Sequence, residues 1–236
     1  MTTLRVAIVG MGRMGSAVAA LAPERGFEIA ATLDEADSRA GITRDALRGA
    51  DVAIEFTTPS AAPDNIRALV DAGCPVVVGT TGWNAALPEI TAYVRDHGGA
   101  MLWAPNFSIG VNLFQRVVAE AARVLATAPG FDAHFVETHH RAKKDAPSGT
   151  AIALEQAAAA QLGHAIPITS VRVGSVPGTH ELVFDAPFET IRLEHAARDR
   201  RVFAEGALLA ARWLPGHTGV FEMTDVLDGL TTRRET

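Results

Sequence analysis

The feature that most restricts this chain is Gly10-Met11-Gly12-Arg13-Met14-Gly15, placed directly after an apolar run over residues 4–9 and opening a helical stretch that continues to about residue 25. In a G-x-G-x-x-G turn between strand and helix, the first glycine permits the tight turn. The second lets the backbone approach a pyrophosphate, and the third lets helix and strand pack closely. Backbone N–H groups at the helix start then hold phosphate oxygens. Asp34 closes the next strand-like run, 27–33, at the distance where an acid accepts hydrogen bonds from ribose hydroxyls. A glycine turn alone is also an ordinary structural turn. The strand before it, the helix after it and the acid beyond it together point to a dinucleotide. A carboxylate at Asp34, with Glu35 beside it, repels a 2′-phosphate and favours NADH. Arg39 is a nearby cation that would serve NADPH.

The first hundred residues keep alternating. Strand-like runs at 51–56, 75–78 and 100–103 are separated by helical stretches at 61–72 and 85–97. Repeated strand–helix–strand units need crossovers, and crossovers make parallel sheets. After residue 106 the pattern changes. A long helix at 108–126 carries Ile109, Leu113, Val117, Val124 and Leu125 near the 3.6-residue spacing. A strand follows at 131–140, then a polar loop at 141–150 and an alanine-rich helix at 151–162. Three strand-like runs, 168–174, 181–185 and 189–195, come without helices between them. The expected architecture is α/β: a Rossmann-type parallel sheet, then an α+β domain with an open mixed sheet. A helix at 201–214 and a segment at 220–227 follow, and periodicity does not assign them to either part.

Composition narrows the function. Of 236 residues, 21 are Lys or Arg and 27 are Asp or Glu, a net charge of -6, which disfavours a general nucleic-acid binder. The single cysteine, Cys74, excludes an internal disulfide and a zinc site built on paired cysteines. The N-terminus has one positive charge and too short an apolar run for an export signal, and no stretch reaches ~20 consecutive apolar residues. The expectation is a cytoplasmic protein with no membrane partner.

The densest polar stretch is Glu137-Thr138-His139-His140-Arg141-Ala142-Lys143-Lys144-Asp145-Ala146-Pro147-Ser148-Gly149-Thr150. Successive strand residues face opposite ways, so both histidines serve one site only if the strand ends or bends at His139. Ser148, Gly149 and Thr150 at a helix start offer N–H groups and a hydroxyl to an anion such as a carboxylate. Lys143 and a histidine are proton donors near neutral pH. A solvated basic loop is the plain alternative. Zinc on His139 and His140 is disfavoured, since adjacent histidines rarely meet one ion and no cysteine or third histidine has helpful spacing. Trp83, Trp103 and Trp213 read as packing residues.

Together these segments resemble the 4-hydroxy-tetrahydrodipicolinate reductase (dihydrodipicolinate reductase) family. The run E-T-H-H-R-A-K-K-D-A-P-S-G-T-A over 137–151 carries most of the likeness. V-A-I-V-G-M-G-R-M-G, G-T-T-G at 79–82, P-N-F-S-I-G-V-N at 105–112, R-V-G-S-V-P-G-T-H at 172–180 and F-A-E-G-A-L at 203–208 support it. The resemblance implies NAD(P)H-dependent reduction of a small cyclic dicarboxylate in lysine and diaminopimelate biosynthesis, by a homotetramer. It implies His139 and Lys143 as proton donors, and His140, Gly149 and Thr150 as substrate contacts. Gly10, Met11, Gly12, Arg13, Met14, Gly15, Asp34, Gly79, Thr80, Thr81, Ala104, Pro105, Asn106 and Phe107 match cofactor contacts. It also implies a dinucleotide-binding domain of 1–106 with 199–236, and a substrate-binding and oligomerisation domain of 107–198. The chain departs from the family where Glu35 replaces an arginine that meets the 2′-phosphate. Two rivals stand beside this reading. One is another two-domain dehydrogenase, although a thioester route is disfavoured because the only thiol is Cys74. The other is a non-catalytic NAD-sensing protein.

Overall fold

The structure, a computed structural model, describes residues 3–232. The chain forms two compact units: residues up to Phe107 together with those from Phe203 onward, and Ser108–Val202.

The first unit begins with β1 (Leu4–Val9), α1 (Arg13–Leu21), β2 (Phe27–Leu33), α2 (Glu35–Ala40), β3 (Val52–Glu55), α3 (Ala62–Asp71), β4 (Val76–Val78), α4 (Leu87–Asp96) and β5 (Ala100–Trp103). Val6 to Val9 and Val76 to Val78 are fully buried, as expected of parallel strands covered on both faces. α3 presents Ile66, Leu69 and Val70 to the core at helical spacing, and α4 presents Ile90 and Val94. Trp83 packs edge-on against Trp103 in the same core.

The second unit holds α5 (Ile109–Leu125), β6 (Asp132–His139), α6 (Gly149–Leu162), β7 (Ile168–Arg172), β8 (Thr179–Ala186) and β9 (Glu189–Ala196). Its sheet runs β7-β6-β8-β9, with β7 parallel to β6 and the other neighbours antiparallel. Val118 and Ala122 of α5 and Leu154 and Ala158 of α6 share a core with Phe135, Leu182 and Phe184, so one face of the sheet is covered.

The chain ends with α7 (Arg201–Trp213), β10 (Gly219–Phe221) and α8 (Met223–Thr232). β10 pairs parallel with β5 and completes a six-stranded sheet ordered β10-β5-β4-β3-β1-β2. The expected α/β architecture, a Rossmann-type parallel sheet plus a mixed sheet, is observed. Boundaries moved in a few places. The segment 220–227 divides into a strand and a helix. α6 starts at Gly149 because Ser148 caps it, its Oγ accepting the Ala151 N–H at 3.2 Å. Among the described residues no helix is long and apolar enough to cross a membrane.

Candidate active site

In the second unit the site grows out of β6. Its burial alternates, with Ala133, Phe135, Glu137 and His139 on the covered face. Register extends this pattern across the sheet. Phe135 stands level with Ile168, Leu182 and Leu193, an apolar row. One step along, Glu137 stands level with Ser170 and His180, and His180 with His195. One further step pairs His139 with Arg172. The covered face therefore changes from hydrocarbon to ionisable groups at one end of the sheet.

These groups are tied together. Glu137 is 1% exposed. Its Oε1 accepts from Arg172 Nη2 at 2.7 Å, and its Oε2 is hydrogen-bonded to His139 Nδ1. Burial pushes this carboxyl up, but hydrogen bonds from Arg172, Ser170 and His139 outweigh it and bring Glu137 to about 2. Burial lowers His139 below its ordinary value, and Glu137 opposes that shift. The His180 ring meets His139 edge-on at 5.2 Å, and burial, reinforced by His139, takes His180 down to about 4. His180 Nε2 lies 3.3 Å from the Ser148 hydroxyl that caps α6.

β6 ends at His139, which is buried, and His140 follows half-buried outside the strand. The His140 carbonyl accepts the Lys143 N–H at 3.0 Å, closing a turn. Lys143 Nζ pairs with Asp145 Oδ1 at 2.9 Å, and the Asp145 carbonyl accepts from Arg172 Nη2 at 2.6 Å. Gly149 and Thr150 are the first residues of α6, where helix N–H groups point outward. The structure thus brings His139, Lys143 and the start of α6 together around Arg172, Glu137 and His180. Sequence reasoning missed those last three. Alternation alone points Glu137 to the face of His139, but Arg172 and His180 arrive only through strand register.

Glu137, His139 and His180 each place a ligand-type atom within 4.8 Å of the others. The Arg172 guanidinium on the same carboxylate puts positive charge where a cation would sit, so the donor set suits a hydrogen-bonded relay better than a metal.

In the first unit the glycine turn fits a dinucleotide. Gly10 has φ +90°, and a Cβ there would fall 2.3 Å from the Phe56 carbonyl oxygen. A Cβ at Gly12 would meet nothing within 4 Å, and α1 starts there without a side-chain cap. Space and uncapped N–H groups are what a pyrophosphate needs. Met11 and Arg13 are exposed beside the turn, Met14 is half-buried and Gly15 is packed inside.

Asp34 is exposed at the end of β2. Its Oδ1 accepts N–H groups of Ala36 and Asp37, while Asp37 accepts the Asp34 N–H, a reciprocal box that starts α2. The N–H groups of Asp37 and Ala36 hold its carboxyl below the usual range, so it is a fixed negative charge. The side chain of Arg39 lies outside the described residues.

β1, β3, β4 and β5 are parallel neighbours, so the segments following them, including 79–81 and 104–107, emerge at one edge of the sheet. Gly79 lies against the Phe56 ring, which meets Phe107 edge-on at 6.2 Å. Thr80 Oγ1 accepts the Thr57 N–H at 2.7 Å, and Thr81 is exposed. Ala104 and Phe107 are buried, Pro105 is exposed and Asn106 is half-buried. Sequence reasoning also missed Glu55, fully buried at the end of β3, hydrogen-bonded to the Thr57 hydroxyl and raised by burial. Cys74 is buried and its thiol is pushed by burial up to about 12. A thiol so placed is a poor nucleophile.

Two family models match the chain, "Dihydrodipicolinate reductase, N-terminus" over residues 4–107 and "Dihydrodipicolinate reductase, C-terminus" over 110–227. Curated relatives named 4-hydroxy-tetrahydrodipicolinate reductase include one from Christiangramia forsetii, 34% identical, covering 96% of this chain and 99% of its own. Another, from Thiobacillus denitrificans, is 36% identical over 95% of this chain and 98% of its own. Among solved structures, the dipicolinate-bound dihydrodipicolinate reductase from Paenisporosarcina sp. TG-14 superposes with a TM-score of 0.76 at 23% identity, covering 94% of this chain and 98% of that one.

Proposed function

The chain belongs to the dihydrodipicolinate reductase family, and from that premise we propose that His139 and Lys143 carry the protons of its reaction. It is an oxidoreductase of lysine and diaminopimelate biosynthesis that reduces 4-hydroxy-tetrahydrodipicolinate (dihydrodipicolinate) to tetrahydrodipicolinate at the expense of NAD(P)H. The bound nicotinamide supplies the hydride.

The protein supplies charge, position and protons. A ring with two carboxylates suits a segment where Arg141, Lys143 and Lys144 precede the amino end of α6. His140, Gly149 and Thr150 hold those carboxylates in this reading. The dipicolinate named in the bound relative is a planar dicarboxylate of this kind. His139 and Lys143 offset charge developing on the ring nitrogen, help worth ~10²–10⁴-fold. The turn 10–15, Asp34, residues 79–81 and 104–107 hold the dinucleotide. Fixed negative charge at Asp34, with Glu35 next to it, makes NADH the preferred form. The family resemblance further carries a homotetramer in the cytoplasm, which sedimentation of the purified protein tests for assembly.

The observation that carries the assignment of roles is His139 at the buried end of β6, next to Lys143 and to the capped start of α6. The test is a coupled assay with pyruvate, aspartate semialdehyde and the synthase that condenses them, following NADH oxidation. Oxidation that needs all three is expected. None above background overturns the function, and wild-type turnover in His139→Gln or Lys143→Ala overturns the roles.

A further inference from the structure

We propose that Glu137, anchored by Arg172, is a positioning residue that fixes the proton of His139 on Nδ1 and leaves Nε2 as the atom exchanging protons with substrate. This rests on His139 being the acid–base of the reaction. Glu137 and His139 are two residues apart on β6, so strand geometry aims both at the covered face. Both carboxylate oxygens are engaged, Oε1 by Arg172 Nη2 at 2.7 Å and Oε2 by His139 Nδ1. An ionised carboxylate only accepts, so Nδ1 carries the hydrogen. The opposite tautomer would set the Nδ1 lone pair against the carboxylate.

The other edge of the ring faces Gly178. A Cβ at Gly178 would fall 3.0 Å from His139 Nε2 and 3.3 Å from its Cδ2. Glycine there leaves Nε2 room for a partner. Arg172 serves two ends at once, since the same Nη2 reaches the Asp145 carbonyl at 2.6 Å in the loop that carries Lys143. The relay and the second proton donor are thereby fixed to one guanidinium.

The charged and titratable groups facing His139 are Glu137 on its own strand, Arg172 on β7, His180 on β8 and Lys143 in the loop. Glu137 is the only anion among these four. Without its charge, burial and two cations act on the imidazole, and its proton affinity falls. When Nε2–H protonates the substrate, the N–H electron pair returns to the ring and the neutral Nδ1–H tautomer is restored.

Imidazole ¹⁵N NMR of the wild-type protein, with the His139 signals assigned by their loss in His139→Gln, reads the tautomer directly. The Nδ1-protonated form is expected, and the Nε2-protonated form overturns the proposal. Glu137→Gln keeps the shape and removes the charge. Its kcat is expected to fall roughly 100-fold at neutral pH, with KM changed less than about threefold. The limb of the pH profile that needs protonated His139 moves to lower pH. An unchanged kcat and pH profile also overturn the proposal. Should Glu137→Gln not fold, the wild-type spectrum decides alone. If His139→Gln turns over like wild type, the acid–base reading fails, whereas the tautomer still reports on Glu137.

Discussion

A Cβ at Gly15 would lie 1.9 Å from the carbonyl oxygen of Gly10, while one at Gly12 would touch nothing within 4 Å. The two substitutions therefore separate folding from binding. Gly15→Ala forces α1 away from β1 and should cost about 1–3 kcal/mol. Gly12→Ala, at φ -71°, should leave stability within about 0.5 kcal/mol of wild type. Its methyl group enters the space a pyrophosphate needs, so cofactor Kd should rise at least ~10-fold. Thermal melts and NADH titrations read the two effects, and normal NADH binding by Gly12→Ala would remove the pyrophosphate from this turn.

Asp34 does two jobs, capping α2 and presenting negative charge. Asparagine is an equally good cap. Asp34→Asn should therefore keep the melting temperature while shifting the kcat/KM ratio several-fold toward NADPH, from loss of the repulsion between the Asp34 carboxylate and a 2′-phosphate. An unchanged ratio would place the ribose elsewhere.

Acid stability should fall in two windows. His180 drops from 6.5 unfolded to about 4 folded. A lowered pKa means the folded state holds fewer protons, so its contribution is complete above pH 6.5 and is lost as pH falls toward 4. The loss amounts to about 3 kcal/mol. Glu137, at 4.5 unfolded and about 2 folded, acts likewise over that lower interval. Denaturant midpoints measured against pH should show both, and His180→Gln should flatten only the upper one. A steep upper slope surviving in that variant would assign it to another group.

With its thiol near 12 and its side chain buried, Cys74 should resist alkylation at pH ~8 in the folded state and react on unfolding. Cys74→Ala should retain kcat. A large loss of turnover would reopen thiol chemistry.

The parallel sheet was legible because its strands are short apolar runs separated by turn residues, as at Val52–Glu55 and Val76–Val78. α2 was not, since Glu-Ala-Asp-Ser-Arg-Ala has no apolar stripe and the helix depends on the Asp34–Asp37 box. His139, Lys143 and Ser148 could be found because they are close in sequence. Arg172 and His180 could not, because they reach Glu137 and His139 only through pairing with β7 and β8, and no local pattern encodes that register. Glu55 hid inside the strand-like run 51–56 and proved to be the last residue of β3.

The row of Glu137 and His180 shares its face with Phe135, Leu182 and Phe184. Strand side chains alternate, so a slip of one residue in β6 would swing Glu137 and His139 to the open side together with Phe135. Misaligned chemistry and exposed oil then come as a single error. A polypeptide making that error would expose apolar surface to aggregation and proteolysis, so it would not persist as a folded but idle enzyme.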